Sequence, residues 1–123
     1  MQHSTRFRPA ERIRRRADFR QVYDRGSKIH GRYCTVFMLP TGADGRLGIA
    51  ATRKFGRAVQ RNRAKRLIRE VFRRNKIAKG FDVVVIPKRS LLDASLTLLE
   101  ADYRAIVERH MGRHGRTAGN PRI

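Results

Sequence analysis

The sequence predicts a single α+β domain, a two-layer sandwich with a small mixed sheet, and three observations predict it. Alternating β-branched and aromatic residues between Ser27 and Pro40 require strands. The basic stretch from Arg53 to Asn75 carries an apolar stripe at helical spacing, and Phe81 to Ile86 is a nearly unbroken apolar run suited to a central strand. In chain order the elements read helix, two or three strands, helix, strand, helix, and they can bury their apolar sides only by laying helices on a sheet. With 123 residues, 40% of them hydrophobic, the chain has material for one small core.

Residues 1–12 hold arginines, Pro9 and few apolar groups, so they are expected to form a mobile basic arm able to reach an anionic partner. The domain proper is expected over residues 13–110. Its first helix should run from about Ala17 to Arg25, with Phe19, Val22 and Tyr23 on one face and Gly26 as the stop. In the strand region Tyr33, Thr35, Phe37 and Leu39 alternate with Cys34, Val36 and Met38, and Gly31 divides a short strand from a longer one. Thr41 to Gly45 reads as a turn, after which Arg46 to Thr52 returns as the second strand of an antiparallel hairpin. Leu47, Ile49 and Ala51 would enter the core, whereas Gly48, Ala50 and Thr52 would leave the other face almost bare.

The next element is a helix from about Ala58 to Asn75, whose stripe is Ala64, Leu67, Ile68, Val71 and Phe72. Lys79 and Gly80 lead into the central strand, which Pro87 closes. Ser95 can cap a last helix to about His110 with Leu96, Leu99, Tyr103 and Ile106 or Val107 inward. Residues 111–123 are Gly-rich and basic and are expected to form a flexible tail.

Charge narrows the function. The formal net charge is +20, and Arg53 to Lys76 hold eleven of the 30 basic residues but a single acid, Glu70. Asn62, Arg66, Arg69 and Arg73 lie opposite the apolar stripe, with Arg63 and Lys65 on its flanks. Such a ridge suits a polyphosphate, because guanidinium forks grip phosphate oxygens in pairs. The loop Lys54-Phe55-Gly56-Arg57 adds free N–H groups at the positive end of the helix. A nucleic acid is therefore the expected partner. No run of 18 apolar residues could span a membrane, and the first residues lack a signal peptide's apolar segment, so a cytoplasmic location is expected.

Cys34 is the only cysteine, which excludes an intrachain disulfide and suits a buried, inert thiol. His110 and His114 have a helical spacing, but no further ligand completes a metal set. The ten acids are scattered over every element with no spacing of a metal or acid–base site, so no catalytic residue is expected on this chain. Glu100 and Asp102 read as balancing surface charge, and Asp82 as opening a strand.

The core Arg61-Asn62-Arg63, preceded by Gly56 and Ala58-Val59 and followed by Lys65-Arg66-Leu67-Ile68-Arg69, closely resembles the signature of the bacterial ribonuclease P protein subunit. The resemblance extends from about Ile13 to Val107 and is weaker outside the central third. It implies an order α-β-β-β-α-β-α, similar to the second domain of a small-subunit ribosomal protein, with a left-handed crossover through the basic helix. It also implies a protein partner of a large catalytic RNA, in an endoribonuclease that removes 5′ leaders from precursor tRNA. Chemistry would lie on the RNA subunit with Mg²⁺, with no cofactor or metal bound by the protein itself and no obligate protein partner inferred.

On this basis Arg53, Lys54, Arg57, Arg61, Asn62, Arg63, Lys65, Arg66, Arg69 and Arg73 are candidates for binding the catalytic RNA. Phe19, Tyr23, Tyr33, Thr35, Phe37, Ala50 and Thr52 are candidates for a cleft holding the leader. Spacing alone favours these rings as ordinary core, and the resemblance shifts the reading to a cleft. The alternative is a structural RNA-binding protein, such as a ribosomal protein or RNA chaperone, with no role in cleavage.

Overall fold

The computed structural model describes residues 11–42 and 44–119, with side-chain surroundings up to residue 112. Most of the basic arm, the end of the tail and the side chain of His114 lie outside the described residues. In order, the elements are α1 (Arg16–Arg25), β1 (Ser27–His30), β2 (Cys34–Pro40), β3 (Arg46–Ile49), α2 (Ala58–Arg74), β4 (Phe81–Pro87), a short 3₁₀ helix (Arg89–Asp93) and α3 (Leu96–Gly119). Gly31 does separate two strands. The last helix continues past the expected end near His110 to Gly119.

The four strands form one mixed sheet in the order β1-β2-β4-β3. β2 lies antiparallel to both β1 and β4, and β3 lies parallel to β4, with Leu47 opposite Val83 and Ile49 opposite Val85. The expected hairpin between β2 and β3 is therefore not formed. Its connection turns away instead: the N–H groups of Thr41 and Gly42 donate to Gly80 O, at 2.8 and 3.3 Å, just ahead of β4. β4 fills the gap because Val83, Val84 and Val85 are apolar on both faces, and all three are at most 1% exposed.

One face of the sheet carries Cys34, Val36, Met38, Leu47, Val83 and Val85, packed against Ala64, Ile68, Val71 and Phe72 of α2 and Leu99, Tyr103, Ile106 and Val107 of α3. Each fully buried aliphatic side chain there contributes about 1.5–3 kcal/mol. The opposite face is only partly covered by α1. Val22, Ile13 and Val84 form a second, smaller core beneath it, with Phe19, Tyr23, Phe37, Leu39 and Ala50 half-buried around them. Val22 is the only buried residue of α1, so the helix depends on further ties described below.

Candidate nucleic-acid interface

The basic helix is held rigidly where it begins. Phe55, in the loop before it, is buried in the main core, and its N–H donates to Thr52 O at 3.0 Å. The N–H of Arg57 donates to Gln60 Oε1 at 2.8 Å. That back-folded side chain lies against Gly56, where a Cβ would displace its amide. No acid lies in the first turn of α2, leaving the positive end of the helix unopposed.

The ridge residues divide by surroundings. Arg53, Lys54, Arg57, Asn62, Arg63 and Arg66 are exposed. Arg61 is half-buried and donates to Gly56 O at 2.8 Å, so it braces the loop as well as adding charge. Arg73 is paired with Glu70 one turn earlier. Lys65 and Arg69 are half-buried on the side of α2 next to β3, and burial, followed by the neighbouring Arg12, lowers the pKa of Arg69.

The aromatic surface is smaller than the sequence suggests. Tyr23 meets Phe37 edge-on with ring centres 5.0 Å apart, Phe19 stands 6.5 Å from Tyr23, and Lys28 Nζ lies 5.7 Å from the centre of the Phe37 ring. Thr35 projects to the same face of β2 by alternation, and Ala50 packs beside the group. Tyr33 does not join them. It precedes β2, its N–H donates to Asp102 Oδ2 at 2.9 Å, and its ring is buried in the main core on the α3 side. Thr52 lies past the end of β3 and is exposed. Nor is the bare face of β3 an open gap, because the Phe19 ring occupies it: a Cβ on Gly48 would lie 2.7 Å from that ring.

The acids are engaged individually. Asp82, nearly fully buried, accepts from Arg46 Nε and Nη2 at 3.0 and 2.6 Å, and Arg46 also reaches Asp18 of α1 at 3.4 Å. Glu100 does balance a surface cation, lying 3.4 Å from Arg74 Nε, but it also accepts from Asn75 Nδ2 at 2.7 Å, while Asp102 accepts from the N–H groups of Arg32 and Tyr33. Glu11 pairs with Lys76 at 2.8 Å. These carboxylates are committed to cations and backbone donors on separate elements, an arrangement unsuited to a shared metal ion. His110 is buried against the edge of Phe81, with ring centres 5.5 Å apart. None of these long-range pairings has a spacing signal in the sequence.

The family model of ribonuclease P matches residues 7–111. The ribonuclease P protein component of Thermotoga maritima is 48% identical over 88 residues, covering 69% of this chain and 75% of that one. A solved structure of the Thermotoga maritima ribonuclease P protein superposes with a TM-score of 0.73 at 40% identity, over 80% of this chain and 96% of that chain. The Staphylococcus aureus protein gives 0.72 at 28% identity, over 81% and 94%.

Proposed function

Since the chain belongs to the ribonuclease P protein family, the protein component of a tRNA-processing endoribonuclease, we propose that it uses two surfaces on two RNAs. The exposed part of the α2 ridge and its entry loop, with Arg61, Lys65, Arg69 and Arg73 around them, binds the catalytic RNA. The shelf formed by Phe19, Tyr23 and Phe37, with Thr35 and Ala50 beside it, holds the 5′ leader of precursor tRNA. Cleavage occurs on the RNA subunit with Mg²⁺, and the protein supplies affinity and phosphate neutralisation.

The observation that carries this reading is the pair of surfaces itself: a ridge of exposed guanidinium groups on a docked helix, and a half-exposed aromatic group with Lys28 over one ring. Bases stack on such rings with little sequence preference, while nearby cations pair with phosphates. The test is reconstitution with the catalytic RNA at low Mg²⁺. The protein alone should not cleave precursor, and adding it should restore cleavage by the RNA, because neutralised phosphates need fewer divalent ions. Phe37→Ala should weaken binding of leader-bearing precursor by about 1–3 kcal/mol, the range for removal of a base–aromatic stack, with mature tRNA unaffected. Equal weakening of both ligands would return Phe37 to a purely structural role. Failure to stimulate cleavage would leave RNA binding without a part in processing.

A further inference from the structure

The aromatic shelf has a rim on β1, the edge strand at the opposite side of the sheet from β3. The four residues of this strand alternate in burial. Ile29 packs against the main core, so Lys28 and His30 emerge on the other face, the one that carries α1 and the rings. Strand register places them the same way, with Lys28 opposite Phe37 and His30 opposite Thr35. Both side chains of β1 are exposed, whereas Thr35 is 9% exposed.

His30 leans towards Thr35 without being fixed by it. Its Nδ1 stands 3.5 Å from Thr35 Oγ1, longer than a well-formed hydrogen bond, and the imidazole is left able to take another partner. The charged groups around this corner are mostly cations. Lys28 shares the face of His30, Arg32 follows in the turn to β2 with its guanidinium 5.6 Å from the centre of the Tyr33 ring, and Lys88 beyond β4 donates to Gly31 O at 2.6 Å. Ile86, opposite Thr35 on β4, is uncharged, and Tyr23 of α1, its pKa raised by burial, stays neutral. From α3, Asp102 reaches the same turn, but it accepts from the N–H groups of Arg32 and Tyr33. Among the described residues neither Lys28 nor His30 has an acidic partner. No carboxylate is placed to pair with a protonated imidazole here, and a docking phosphate would be the first anion to do so.

We propose that His30 couples leader binding to protonation: it takes up a proton from solvent as a phosphate of the leader docks on the β1 rim, beside the base stacked on Phe37. The inference rests on the reading of the shelf as the leader site. Histidine is the side chain whose charge changes between about pH 5 and 8. Lys28 supplies a fixed charge on the rim, whereas His30 supplies one only when protonated, and the complex then holds more protons than its free parts. By linkage, affinity for the leader rises as pH falls. Mature tRNA, which brings no leader to the rim, gains nothing.

The experiment measures binding of the reconstituted holoenzyme to leader-bearing and to mature tRNA at pH 8 and at pH 6, at one ionic strength, for wild type, His30→Gln and Lys28→Gln. In wild type the preference for the leader-bearing substrate should rise roughly two- to fivefold at pH 6, as for one exposed ion pair gained. In His30→Gln, which keeps an N–H donor but takes up no proton, that rise should be lost. Lys28→Gln should lower the preference at both pH values and keep the rise. A wild-type preference that does not change with pH, or a rise that persists in His30→Gln, would overturn the role of His30 and leave the shelf reading in place. Absence of any preference for the leader-bearing substrate at either pH would instead sink the shelf reading, and the proton-linked contact with it.

Discussion

Arg46 joins three elements through one side chain, and its neighbours set what its loss should do. Asp82 is buried and receives two of its N–H groups, so Arg46→Ala would strand a carboxylate in the sheet. A fully buried pair broken in this way costs about 3–5 kcal/mol. With Arg46 about one-third exposed, about 2 kcal/mol is expected, measured by urea unfolding, while Asp18→Asn at the half-exposed end should cost under about 1 kcal/mol. Cys34 makes the opposite case, a reactive group silenced. Burial first, and then Asp102, raises its pKa to about 12 from 9.0. The unfolded thiol ionises before the folded one, so this contribution to stability is intact below about pH 9 and is lost as pH rises towards 12. Alkaline unfolding should begin in that window and be eased in Cys34→Ala relative to its own stability at pH 7. At pH 8 a thiol reagent should modify Cys34 only as fast as the protein unfolds globally.

Among the elements, β3 separates what was legible in the sequence from what was not. Its inward residue Leu47 and its bare outward positions were visible in the alternation, as were the stripes of α2 and α3. Its partner was not, because period-2 patterning fixes faces and leaves neighbours open; only the apolar run through Val83 to Val85, buried on both faces in the structure, pointed to β4 as the central strand. The same limit misplaced Tyr33, whose direction is set by Asp102, 69 residues away. Small residues on β3 read as a vacancy but accommodate a ring from α1. Gly48→Ala should therefore force Phe19 off its seat and cost about 1–3 kcal/mol by overpacking. Phe19→Leu in the same chain should recover part of the loss in thermal unfolding.

At the level of the whole molecule, the net charge of +20 makes RNA association a matter of counterion release. Neutralising Arg63 and Arg66, both exposed on α2, should reduce the slope of log K against log salt by about 0.7–0.9 for each phosphate left without its cation. An unchanged slope would place the RNA elsewhere. The ridge was readable because charge and helical period are local properties of sequence, whereas the braces that orient it, Phe55 in the core and Arg61 on Gly56 O, depend on tertiary contacts. Sheet order has a further consequence, for how the chain is made. β2 and β3 both hydrogen-bond to β4, which is encoded last of the four strands. Until the ribosome has released residue 87, the nascent chain holds the edges of two strands with nothing between them, while the arginine-rich helix has already emerged. Folding must wait for the centre of the sheet, and for that interval the newborn chain presents its charge before its shape.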